Sequence, residues 1–257
     1  MNIDLSGKVA LVTGASQGLG ETIALEFAKS NAHVAFMYRS QKQKAEDVRE
    51  RINRSGKEAL PLQCDVSKSD EVQEAVQKVV DRFGRIDVLV NNAAVNPKRP
   101  EGKTPIYEIS DGEWDHVMSV NLKGAFYCTR EVLKIMLEQG TGSIVNISSL
   151  SGQLGNGAPV GAPYCISKAG MICMTKCAAL DVASKGIRIN TIAPGPIEGP
   201  TNLRNTPEVN AAMANKIPLK RIARPEEIAY AVLFLASDFS ADTTGQTLNI
   251  NGGWYMP

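Results

Sequence analysis

The strongest constraint on the fold is an alternation of two periods along the chain. Short apolar runs at residues 8–13, 33–38, 59–64, 88–90, 143–147, 188–192 and 247–250 read as strands. Between them, longer stretches with helical spacing of apolar residues occupy 18–30, 43–55, 69–83, 111–139, 164–185 and 225–237. Parallel strands need a crossover, and a helix that supplies one also covers a face of the sheet. The alternation therefore predicts an α/β chain with a doubly wound parallel sheet and right-handed crossovers. At 257 residues and 43% hydrophobic, one domain spanning 1–257 can hold its own core. Two irregular segments, 96–110 and 194–224, are expected to lie at the carboxyl ends of strands, with 194–224 as a substrate loop.

Charge narrows the partners. Lys plus Arg (28) nearly balances Asp plus Glu (27), so no global field draws the chain to nucleic acid or to an anionic membrane. Small molecules and further copies of the chain remain. Asp4 and the early glycines interrupt any signal-like segment, and the longest apolar run, near 228–236, is far shorter than a membrane span. A cytoplasmic location is expected. The five cysteines, Cys64, Cys128, Cys165, Cys173 and Cys177, form neither a CxxC pair nor an even set, and His33 and His116 are isolated. No metal is expected. Cys173 and Cys177, one helical turn apart, read as small packing residues.

Chemistry enters at the first strand–helix turn, Thr13-Gly14-Ala15-Ser16-Gln17-Gly18-Leu19-Gly20. Gly14 permits a sharp turn, Gly18 lets backbone approach a pyrophosphate at a helix N-terminus, and Gly20 allows close helix–strand packing. Further strand ends carry Asp65-Val66, where a carboxylate can accept from an adenine amino group, and Asn91-Asn92-Ala93-Ala94, where backbone can lie beside a ribose. Their recurrence at successive strand ends defines one rim.

A second constellation opens the helix at 164–185. Tyr164 and Lys168 stand one turn apart on a shared face, so an ammonium near a phenol favours the phenolate and brings Tyr164 into proton-exchange range. Ser148 and Ser149 follow the strand Ile144–Ile147, where a hydroxyl can hold a carbonyl oxygen as charge develops on it. Asn121 lies inside a helical stretch, from which its side chain can hold a water against Lys168. The same helix carries Cys165, Ile166, Met171, Ile172, Met174, Leu180 and Val182 around most of its circumference, too wide a stripe for one sheet contact. A second buried face, hence a homodimer or homotetramer, is expected.

These motifs together resemble the short-chain dehydrogenase/reductase family, over nearly the whole chain: TGASQGLG, NNAA, NISS, YCISK at 164–168, and PGPI at 194–197 follow in the family's order. The resemblance implies a single-domain Rossmann-type fold and hydride transfer between a nicotinamide and a carbonyl or alcohol substrate. It implies Tyr164 as general acid/base, and Lys168 as the residue that lowers its pKa and holds the nicotinamide ribose. Ser149, rather than Ser148, becomes the orienter of the carbonyl oxygen, and Asn121 the anchor of a proton relay. The cofactor would lie along Gly14, Ser16, Gln17, Gly18, Leu19, Gly20, Tyr38, Arg39, Ser40, Asp65, Val66, Asn92, Ala93, Tyr164, Lys168, Pro194, Gly195 and Ile197. Ala94 stands where the family usually has glycine, and the threonine expected after PGPI is Gly199 or is shifted to Thr201. At the end of the second strand, Tyr38-Arg39-Ser40 offers no acid to a ribose 2′-hydroxyl but a guanidinium to a 2′-phosphate, so NADP(H) is preferred and NAD(H) tolerated. Some NADP-dependent relatives place a basic residue before the second glycine, where this chain has Gln17, which makes the expected preference modest. Among substrates, 3-oxoacyl thioesters and sugars or polyols stay open. Lys98, Arg99 and Lys103 read as a solvated loop rather than a carrier-protein dock. A non-catalytic cofactor sensor or scaffold on the same fold is the alternative to an enzyme.

Overall fold

The computed structural model describes residues 3–97, 104–155, 160–199 and 206–257. Lys98, Arg99, Lys103 and Thr201 lie outside the described residues. Seven parallel strands form one sheet in the order β3-β2-β1-β4-β5-β6-β7. They are β1 (Val9–Thr13), β2 (His33–Tyr38), β3 (Ala59–Gln63), β4 (Val88–Asn91), β5 (Gly142–Ile147), β6 (Ile187–Pro194) and β7 (Thr247–Ile250). The central strands β1 and β4 are buried on both faces, as their unbroken runs of Val and Leu require in a doubly covered sheet.

The helices are α1 (Gly18–Lys29), α2 (Lys42–Arg54), α3 (Ser69–Phe83), α4 (Asp111–Met118), α5 (Gly124–Gln139), α6 (Ser151–Leu154), α7 (Ala162–Val182), α8 (Pro207–Lys216) and α9 (Pro225–Ala236). Two separate cores follow from the winding. On one face Ile23 and Phe27 of α1, Val48 and Ile52 of α2, and Ile228 and Val232 of α9 pack on Ala10, Val12, Val34 and Phe36. On the other, Val72 and Val76 of α3, Val132 and Met136 of α5, and Ala179 and Val182 of α7 pack on Leu11, Leu89, Ile144 and Ile189. Truncating a side chain as fully buried as Phe27 would cost about 3–5 kcal/mol.

Three features depart from the sequence expectation. The helix expected over 111–139 is interrupted at Ser119–Lys123 by a π-helical turn. The wider turn carries Asn121 inward, where it is fully buried and bound to Val95 and Ser167. The segment 194–224, expected to be irregular, contains α8, capped by Thr206, whose hydroxyl accepts from Val209 N, with Pro207 in its first turn. Lastly, α7 starts at Ala162, before Tyr164, with Pro163 in its first turn.

Candidate active site

The strand order reverses between β1 and β4, and a crevice opens at their carboxyl ends, as it must where neighbouring crossovers leave in opposite directions. Thr13 clasps the two strands there. Its hydroxyl accepts from Asn92 N (3.0 Å) and Ala93 N (2.9 Å), and Asn92 Nδ2 returns a bond to Thr13 O (2.9 Å). The glycine turn is thereby locked against NNAA. Gly14 turns through a left-handed φ of 67°, while a Cβ on Gly20 would sit 2.4 Å from Gly14 O and 2.5 Å from Asn92 Nδ2. Only glycine lets α1 start this close to the turn, which leaves its N-terminus facing the crevice.

A cavity of about 480 Å³ runs along this rim. Every residue that the resemblance assigns to the cofactor lines it, from Gly14 at the turn through Arg39 and Asp65 to Tyr164, Lys168 and Ile197. Asn121 does not line it; its neighbour Val120 does. The structure adds Gln41, Val95 and Glu198, which carry no motif and enter the wall just beyond the ends of β2, β4 and β6; Ile147 of the NISS run and Gly199 line it too. At the β3 end, Asp65 Oδ1 accepts from Ser67 N (3.0 Å) and Ser67 Oγ (2.7 Å). Burial raises the pKa of that carboxyl, but the Ser67 bonds and the nearby Arg39 charge outweigh it and keep the group below its ordinary value.

At the other end of the cavity the two serines have different surroundings. Ser148 is buried and its hydroxyl donates to Lys168 O of α7 (2.8 Å). Ser149 is only partly buried; its hydroxyl accepts from Ser151 N (3.1 Å) and lies close enough to the Tyr164 phenol to pull its pKa down. Gly152 makes this closeness possible, because a Cβ there would lie 2.7 Å from the Lys168 carbonyl carbon. Lys168 is 1% exposed and donates from Nζ to Ile147 O (2.6 Å), with the ammonium 5.8 Å from the Tyr164 ring centroid. Among the described residues it has no carboxylate partner. Burial alone lowers its pKa to about 8.

Tyr164 differs from the sequence expectation. Burial pushes its phenol above the usual tyrosine range, and the opposing Ser149 hydroxyl does not cancel that. The Lys168 ammonium donates one hydrogen to the Ile147 carbonyl and is not among the groups that shift the phenol here. Asn121 differs too: its Oδ1 accepts from Val95 N (2.7 Å) and its Nδ2 donates to Val95 O (3.0 Å) and Ser167 Oγ (3.1 Å). That side chain ties the loop after β4 to α7 and is not aimed at Lys168. Ser167, which donates to Tyr164 O (2.7 Å), completes the brace, and no motif reading had singled it out.

With this geometry in view, residues 14–255 match a family model described as enoyl-(acyl carrier protein) reductase. The chain is also 43% identical over 249 residues to the 3-oxoacyl-[acyl-carrier-protein] reductase of Staphylococcus epidermidis, covering 97% of this chain and 99% of the relative. The chain belongs to the short-chain dehydrogenase/reductase family. The 3-oxoacyl-[acyl-carrier-protein] reductase of Thermotoga maritima is 41% identical over 97% of this chain and 98% of its own. Solved structures agree in fold. A short-chain type dehydrogenase/reductase from Mycobacterium marinum superposes with a TM-score of 0.91 at 34% identity, over 100% of this chain and 98% of that one. A 3-oxoacyl-[acyl-carrier protein] reductase from Brucella melitensis gives 0.91 at 34% identity, over 100% and 95%. As a short-chain dehydrogenase/reductase, the protein is an oxidoreductase that transfers hydride between a nicotinamide cofactor and a carbonyl or alcohol carbon.

Proposed function

We propose that the protein reduces 3-oxoacyl thioesters with NADPH. The observation that carries this reading is the pair of hydroxyls on Ser149 and Tyr164 in the cavity wall, with a buried Lys168 whose three N–H groups make, among the described residues, one hydrogen bond. Two converging hydroxyls suit one carbonyl oxygen, and the unused ammonium hydrogens suit ribose hydroxyls. Bound NADPH supplies the hydride to the carbonyl carbon. The protein's part is the proton: Tyr164 Oη gives its hydrogen to the oxygen as charge develops there, while Ser149 Oγ donates to the same atom. The phenolate left behind faces the Lys168 ammonium, which stabilises it until it is reprotonated. Because burial holds the phenol protonated at neutral pH, the resting site is set for reduction. Asn121 acts as a positioning residue through Val95 and Ser167.

NADP(H) is the preferred cofactor. Arg39 and Ser40 at the end of β2 line the cavity, and no carboxylate stands at that strand end to receive a ribose 2′-hydroxyl. A 3-oxoacyl thioester is favoured over a sugar by the names of the curated relatives, and over a 2-enoyl thioester by the paired hydroxyls, which serve an oxygen rather than a carbon. The chain acts as one catalytic domain, with 194–224 as the substrate loop and with further copies of itself as partners. Among the described residues no helix is long and apolar enough to cross a membrane; a cytoplasmic location is part of the proposal. Turnover of a 3-oxoacyl thioester, a 2-enoyl thioester and a sugar panel with NADPH tests it. Consumption of NADPH with the 3-oxoacyl compound alone is expected; preference for the enoyl compound or the sugars would overturn it.

A further inference from the structure

Among the described residues, the basic side chains in the second half of α2 all have acidic partners. Arg49 pairs with Glu46, Arg51 with Glu21 of α1, and Arg54 with Glu50. Asp47 accepts from Gln43. The cations at the start of the helix differ: among the described residues, Lys42, Lys44 and Arg39 before them form no ion pair, Arg39 feeling Asp65 only from a distance, and the first turn of α2 contains no acid at all. Charges so placed oppose the helix macrodipole and each other. That alone defines no site.

The second observation comes from the cavity wall. Lys44 is exposed, and its Nζ donates to Oε1 of Gln17 (2.9 Å), 27 residues earlier in the glycine turn. Gln17 lines the cavity, as do Arg39, Ser40 and Gln41, which lie at the end of β2 and the entry to α2. The bond thus places an ammonium within hydrogen-bond distance of an atom of the cavity's own rim, which Arg39 also lines. An anion between them would be met by a guanidinium, a hydroxyl and an ammonium. The neutral Gln17 brings in a charge that its own side chain lacks.

We infer that Lys44, held by Gln17, is a second determinant of cofactor choice: together with Arg39 it takes the 2′-phosphate of NADP(H). This rests on the cofactor reading above and deepens it, since it assigns the discrimination to two cations, one of them outside every motif. Lys44 touches the cofactor and not the reacting atoms, so its effect belongs to affinity and not to the hydride step.

The test is direct binding by calorimetry to the full-length protein without substrate, at low salt. The probes are NADP⁺, NAD⁺, adenosine 2′,5′-bisphosphate and AMP. Lys44→Ala should weaken NADP⁺ and the bisphosphate by about 5- to 20-fold, the range of an exposed charge-assisted contact, while NAD⁺ and AMP move less than about twofold. Lys44→Arg, which keeps the charge and reach, should restore most of the affinity. Lys42→Ala is the control for diffuse charge, and it should change the NADP⁺ to NAD⁺ ratio by less than about twofold. Equal losses for NADP⁺ and NAD⁺ in Lys44→Ala, no loss for either, or equal effects of Lys42→Ala and Lys44→Ala would each overturn the inference. Those results leave the cofactor reading standing as long as the unmutated protein binds NADP⁺ more tightly than NAD⁺. An unmutated protein without that preference would remove both.

Discussion

Ser148 and Ser149 are adjacent and chemically identical, and both line the cavity with the same Tyr164–Lys168 pair, yet their surroundings give them opposite duties. Ser149→Ala removes the hydroxyl that acts on the Tyr164 phenol. If that hydroxyl also donates to the developing oxyanion, its loss should lower kcat by about 10²- to 10³-fold, or about 2.7–4 kcal/mol. Folding should suffer little, because Ser149 is partly exposed and its other bond is a single 3.1 Å contact with Ser151 N. Ser148→Ala removes a buried donor to Lys168 O at 2.8 Å. That carbonyl lies inside α7 and keeps its helical partner, so the cost is about 1 kcal/mol of stability, a fall of about 2–4 °C in Tm for a domain of this size. Turnover should fall less than about tenfold, since only the seating of Lys168 is loosened. NADPH consumption at saturating substrate, alongside thermal unfolding, reads both effects. A Ser148→Ala enzyme that loses more turnover than Ser149→Ala would refute the assignment.

Other consequences are as definite. Arg39→Ala should cost about 1–3 kcal/mol in kcat/KM with NADPH and little with NADH, and an unchanged ratio would remove Arg39 from phosphate recognition. The depressed Lys168 pKa gives a signed pH effect on the protein without cofactor. Between about pH 8 and 10.5 the unfolded chain holds a proton that the folded one has lost, so stability relative to Lys168→Met should rise with pH across that window. The gain is about 3 kcal/mol for a shift of this size, and a difference in denaturation midpoints that stays flat would contradict it. Assembly follows from the outer face of α7 and its neighbour α5, where Leu180 is 85% exposed, Phe126 45% and Ile166 37%. Light scattering at micromolar concentration should give a dimer or tetramer, and a monomer would show that this face stays uncovered.

The fold was largely readable because the parallel sheet writes itself as period: β2, α3 and β7 fall where the apolar spacing places them. What was lost is local. The π turn at Ser119–Lys123 changes no periodicity that a sequence window registers; it accompanies the long-range pairing of Asn121 with Val95. By contrast, α8 announced itself through Thr206-Pro207-Glu208, a cap, a first-turn proline and an acid, which the surrounding prolines obscured. In the site, the residue types at strand ends pointed to the cavity wall, whereas their electrostatics did not follow. Spacing alone says that Lys168 faces Tyr164; only the folded chain brings Ile147 O to the ammonium and buries the phenol, raising its pKa. Lys44 shows the same limit, since nothing in the local sequence links it to Gln17.

The central claim is that Tyr164 Oη is the proton donor and not merely part of the wall. Tyr164→Phe keeps the ring at its place in the first turns of α7 while deleting that single oxygen. The decisive measurement is kcat for NADPH-dependent reduction of a 3-oxoacyl thioester by this variant, with NADPH affinity measured on the same preparation. The account predicts a fall of about 10²- to 10⁴-fold with cofactor affinity within about threefold of the unmutated protein. Turnover within about tenfold of the unmutated enzyme, with affinity intact, would show that another group delivers the proton.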